Sequence, residues 1–95
     1  MPEMTFEVRW PDGRVDALYS PSLVVHDHLT TGASYSVRDF SRRATLAMSV
    51  ASERVRERFG FACTSAAATA AAVEQAAAAY DAEDRVVVLT MWPPL

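Results

Sequence analysis

From Met4 the chain alternates between apolar and polar residues. Phe6, Val8 and Trp10 share one face of an extended segment, and Thr5, Glu7 and Arg9 share the other. This is the period-two pattern of a half-buried strand from Met4 to Trp10. Asp12-Gly13 is a turn signal, and a second strand over residues 14–19 completes a hairpin. A two-residue Asp-Gly turn sets Val8 opposite Ala17, Phe6 opposite Tyr19, Trp10 opposite Val15 and Arg9 opposite Asp16, so every pair matches in character. Pro11-Asp12-Gly13 also suits a type I turn with a bulge at the glycine, which shifts the register by one residue and sets apolar positions against polar ones.

Ser20-Pro21-Ser22 ends the hairpin, and Leu23-Val24-Val25 reads as either an extended segment or a short helical turn after Pro21. Residues 29–33, with Gly32, form a loop. Ser36 then opens a helix, because Ser36 and Asp39 have the spacing of a capping box. Phe40, Ala44, Ala47, Met48, Ala51, Val55 and Phe59 recur at three and four residues and make one apolar stripe. Gly60 reads as a left-handed cap, with Phe61 packing back on the last turn. Thr64 or Ser65 starts a second helix that runs to about Tyr80. Its packing face is narrow, made of Ala66, Ala70, Val73 and Ala77, and Glu74 and Gln75 mark its solvent side.

An acidic turn follows over residues 81–84. Val86-Val87-Val88-Leu89 is then a strand apolar on both faces, stopped by Pro93 and Pro94. Such a strand belongs inside a sheet or at a subunit interface, and either strand direction fits. The order β-β-α-α-β predicts an α+β fold of two layers, a small sheet covered by two helices, as a single domain over residues 1–95 with 91–95 a docking tail.

Composition changes this picture in one respect. Seventeen of the 95 residues are alanine, and all nine basic residues are arginine. Methyl groups bury little area each, so the core is small and self-association is expected. A symmetric dimer, or a higher even oligomer, that buries Val86 or Val88 with Trp92 answers both the two-sided strand and the apolar tail. The net charge of −3 argues against a nucleic-acid partner. No apolar run reaches the roughly 18 residues of a membrane span, and the N-terminus shows no secretory pattern, so a cytoplasmic protein is expected. The single cysteine excludes an internal disulfide framework.

The candidate chemistry is sparse. Cys63 lies near the start of the second helix, where backbone N–H groups lower a thiol pKa; it reads equally as a small buried hydrophobe. His26 and His28 flank Asp27, and in a strand they share a face on which a metal can bind, although two ligands are fewer than a zinc site takes. Cys63 with His26 or His28 is the one nucleophile–base pairing on offer. Arg38 and Arg42 are four residues apart, as are Arg54 and Arg58, and form either a solvated ion-paired face or a strip for an anion or a partner. Trp10, Tyr19, Tyr35 and Trp92 are the aromatics with potential exposure. Glycines fall only at 13, 32 and 60, which leaves no nucleotide fingerprint and no implied cofactor.

Several segments together resemble one family. They are Met1-Pro2-Glu3-Met4, Arg9-Trp10-Pro11-Asp12-Gly13, Tyr19-Ser20-Pro21-Ser22-Leu23-Val24-Val25, Ala51-Ser52-Glu53-Arg54-Val55-Arg56 and Phe59-Gly60-Phe61-Ala62-Cys63. The chain is similar over residues 1 to about 75 to a small bacterial family named for a nitrogen-starvation response. The resemblance implies genes clustered with a nitrilase, a radical enzyme, an acetyltransferase-like protein and a flavoprotein, in nitrogen scavenging from nitriles or cyanide. It brings no catalytic residue. The expected function is a non-enzymatic accessory or scaffold protein, homo-oligomeric, with a partner from such a cluster. The alternatives are a small thiol-dependent enzyme or carrier using Cys63, and a sensor of an anionic metabolite.

Overall fold

A computed structural model describes residues 2–61 and 64–95. Four strands form one antiparallel sheet: β1 (Met4–Arg9), β2 (Val15–Ser20), β3 (Ser34–Ser36) and β4 (Arg85–Trp92). Their order across the sheet is β2-β1-β4-β3. Two helices, α1 (Val37–Phe59) and α2 (Thr64–Ala77), pack against one face, giving the two-layer α+β fold. Leu23–Asp27 is a 3-10 helix. β3 is the strand that periodicity misses, since three residues of Ser-Tyr-Ser carry no pattern and become a strand only by pairing with β4.

The hairpin register is the bulged one. Gly13 N–H donates to the Trp10 carbonyl at 2.9 Å and Trp10 N–H to the Arg14 carbonyl at 2.8 Å. Pro11 supplies the φ of the first central turn position, and Gly13 takes the left-handed one at φ 92°. Val8 therefore pairs with Asp16, Phe6 with Leu18 and Met4 with Ser20, not with the residues that character matching selects. Side-chain bonds resolve the mismatch. The Trp10 Nε1–H donates to Asp16 Oδ2 at 2.8 Å, and the Ser20 hydroxyl donates to the Ser22 carbonyl at 2.7 Å. The shift sends Val15 and Tyr19 to the face away from the helices.

β4 lies between β1 and β3, so its inward residues are covered by its own chain. Val86 and Val88 are both fully buried there, which corrects the expectation that one of them faces a second subunit. A bulge opposite Glu7 and Val8 resets the alternation, so that Met91 rather than Thr90 follows Val88 into the core.

α1 begins with its donors accounted for. Ser36 Oγ accepts from Asp39 N–H at 3.1 Å, and the carbonyls of Asp84 and Ala82 accept from Val37 and Arg38. Gly60 ends it at φ 83°, with its N–H on the Arg56 carbonyl. The stripe from Phe40 to Val55 is buried as the pattern predicts, but Phe59 is 53% exposed. It sits at the end of the helix beside Phe61, rings 6.3 Å apart. α2 buries Ala66, Thr69 and Val73. Trp10 closes the core: it is 1% exposed, edge-on to Phe40 at 5.4 Å and stacked on Tyr80 at 5.7 Å.

Candidate functional site

The two histidines do not share a face. A 3-10 helix turns about 120° per residue, so positions two apart diverge. His26 donates from Nε2 to the Pro93 carbonyl at 2.9 Å; a carbonyl only accepts, so this nitrogen carries the hydrogen. His28 caps the 3-10 helix. Among the described residues no three His, Cys, Asp or Glu side chains gather as a metal site. Cys63 lies outside the described residues.

The bond from His26 holds the tail. Pro94 and Leu95 line a small cavity of about 190 Å³ with His26, Leu29, Thr30 and Thr31. Trp92 stays 72% exposed on the helix-free side of the sheet.

The arginines separate into two places. Arg38 and Arg42, one turn apart on α1, line a cleft of about 430 Å³ between the start of α1 and the chain leaving α2. Arg38 pairs with Glu83 at 3.5 Å and Arg42 with Asp39 at 2.8 Å. Arg54 reaches Ser22 Oγ at 3.4 Å and Arg58 lies over the Phe59 ring at 6.0 Å. Sixteen positions at about 1.5 Å each put Arg38 and Arg54 some 24 Å apart along α1, so the four do not form one site. Arg43, which the spacing did not single out, is the most engaged: it binds Asp39 at 2.9 Å and the His28 carbonyl at 3.1 Å, and lies over Tyr35. Arg43 and then Arg42 hold the Asp39 carboxyl below its ordinary range.

The helix-free face of the sheet is the other feature. Pairing registers place its outward residues in three rows: Tyr19, Thr5 and Trp92; Ala17, Glu7 and Thr90; Val15, Arg9 and Val87. Apolar groups on β2 and β4 flank a central strand that carries one charge of each sign. Thr90 donates to Glu7 Oε1 at 2.9 Å. Arg85 continues β4 on this face, steadied by Ser34 Oγ at 3.0 Å. No helix among the described residues is long and apolar enough to cross a membrane.

These features describe a small α+β protein whose open surfaces, a sheet face and a cleft at the helix ends, carry its candidate chemistry. The chain belongs to the family described as nitrogen starvation-induced protein NitG, whose family model matches residues 5–91. The match extends past the resemblance over residues 1–75 and takes in β4. Comparison with curated proteins and with solved structures gives no match.

Proposed function

We propose that this protein is an accessory component of the nitrogen-starvation response that acts by contact with other proteins, as a homo-oligomer in the cytoplasm. The setting is the scavenging of nitrogen from nitriles or cyanide that clusters with a nitrilase imply. The observation that carries this reading is the sheet face without helices, on which Trp92 is 72% exposed and Val15 46%. A second copy is the occupant that its charges favour. Take a two-fold axis in the interface, across the strands and between the Arg9 and Glu7 rows. It sets each Arg9 against Glu7 of the other copy, Val15 against Ala17, and Trp92 against Arg85 as a cation–π pair. Opposite charges then meet at the centre and aromatic contacts close the rim.

Sedimentation velocity at about 10 µM tests the assembly, since a stable interface of this kind has micromolar or tighter affinity. The expected species is at least twice 10.4 kDa. Trp92→Ser should return it to monomer with unchanged circular dichroism, and a wild-type monomer at that concentration refutes the dimer. For the cellular role, a deletion strain is complemented with wild type or Trp92→Ser and grown under nitrogen limitation. Rescue by wild type alone supports the reading; equal rescue by both counts against contact through this face.

A further inference from the structure

The cleft at the start of α1 stands apart from the sheet face. Arg38, Ser41 and Arg42 fall on one side of the helix and form its polar wall. Val37, Ala77, Ala78, Tyr80 and Ala82 form the rest. The hollow exists because α2 offers only methyl groups here and the chain past Ala77 swings away before returning to β4. At about 430 Å³ it falls within the range of small-molecule sites, which are apolar with a few placed polar groups.

We propose that this cleft binds a small organic monocarboxylate with a short aliphatic or aromatic body. The apolar body lies on the alanines and Tyr80. The carboxylate meets the guanidiniums of Arg38 and Arg42, whose planar forks suit it, and the Ser41 hydroxyl has no intramolecular hydrogen bond among the described residues and is free to donate. The backbone N–H groups of the first turn take no part, because Val37, Arg38 and Asp39 already donate within the chain.

Present ion pairs do not block the exchange. Arg38 and Glu83 have side chains 72% and 79% exposed, and solvated pairs of that kind are weak. Asp39 keeps Arg43 when Arg42 turns to a ligand. Asp81, Glu83 and Asp84 follow Tyr80 and Ala82 of the cleft wall in sequence, and Glu83 faces Arg38. Charge alone does not separate the ligands, since a dianion's attraction to the arginines doubles along with its repulsion by these acids; the apolar wall separates them, because inorganic phosphate has no body to lie on it.

Titration of ¹⁵N-labelled full-length protein with benzoate or pentanoate tests the site. Saturable shifts are expected at the amides of Ser41, Ala78 and Ala82, with Kd in the millimolar range or tighter. Benzamide should bind at least tenfold more weakly, and inorganic phosphate should give no saturable shift at these amides. Arg38→Gln/Arg42→Gln should weaken benzoate at least tenfold; both side chains are largely exposed, so the fold survives. Ala78→Phe, which fills the cleft from an exposed position, should abolish binding. The proposal is overturned by the absence of saturable shifts, by benzamide or phosphate binding as well as benzoate, or by an unaffected arginine double variant. None of these outcomes bears on sedimentation of the dimer, so the two readings fail separately.

Discussion

Thr69 shows what a single residue does in this fold. β2 is an outer strand, and its pairing phase turns the backbone groups of Val15, Ala17 and Tyr19 away from β1. Thr69 is buried on α2 and donates from Oγ1 to the Tyr19 carbonyl at 2.7 Å, so the helix ties down the end of the strand. Thr69→Val keeps the volume and removes the donor. The expected loss is about 1 kcal/mol, which lowers Tm by roughly 4–8 °C for a domain of this size; calorimetry showing an unchanged Tm would remove this role. Ionisation follows the same logic. Asp39 and Asp12 have carboxyls held below the ordinary 3.8, Asp39 first by Arg43 and Asp12 first by the Arg14 backbone N–H. A lowered carboxyl contributes stability that is present above the unfolded value and lost as pH falls through the folded one. Tyr80 is shifted the other way, raised above 10.0 first by burial and then by Asp12. Its contribution is full below 10 and lost at higher pH. Denaturation midpoints should therefore fall below about pH 4 and above about pH 10. Asp39→Asn should flatten the acid limb and Tyr80→Phe the alkaline one; limbs identical to wild type in both variants would show that other groups set them.

At the scale of elements, α1 is where local signals and tertiary supply meet. The Ser36 cap, the stripe to Val55 and the Gly60 terminus are all legible in the sequence, because each depends on residues within a turn or two. The donors of Val37 and Arg38 are not, since their acceptors come from Ala82 and Asp84, more than forty positions on. Ser36→Ala therefore removes one acceptor of several and should cost about 1 kcal/mol, with Ser36→Asp retaining most of it. Equal urea midpoints for wild type and Ser36→Ala would mean that the distant carbonyls suffice. The same division explains the other elements. Hairpin register hinged on whether Pro11 belongs to the turn, and side-chain matching favoured the wrong answer because it ignored the bonds that satisfy Asp16 and Ser20. β3 and the interior place of β4 required a partner strand that no local window contains. At the cleft, Arg38 and Arg42 were legible as an i, i+4 pair; the wall of Ala77, Tyr80 and Ala82 was not, because only the path of the chain after α2 brings it there.

For the whole molecule, the central question is what covers the open sheet face. Two helices suffice for one side of four strands, and the other side is left with apolar flanks around Arg9 and Glu7. Among the described residues the Arg9 side chain has no ion-pair or hydrogen-bond partner, while the Glu7 carboxylate is engaged by Thr90 alone. Around the proposed two-fold, each charge meets its opposite twice, once in each half of the interface. Reversing either charge alone sets like charges together at both places and should weaken association at least tenfold, an energy of about 1.4 kcal/mol. Both residues lie on the outer face, so monomer stability should change little. Arg9→Glu combined with Glu7→Arg restores opposite signs at the same two places and should recover most of the affinity, which a change of net charge or a loss of folding cannot imitate. Sedimentation equilibrium on the four proteins at one ionic strength reads the cycle directly. Single reversals that associate like wild type would place the contact elsewhere, and a folded double variant that stays as weak as the single ones would refute the two-fold pairing of Arg9 with Glu7.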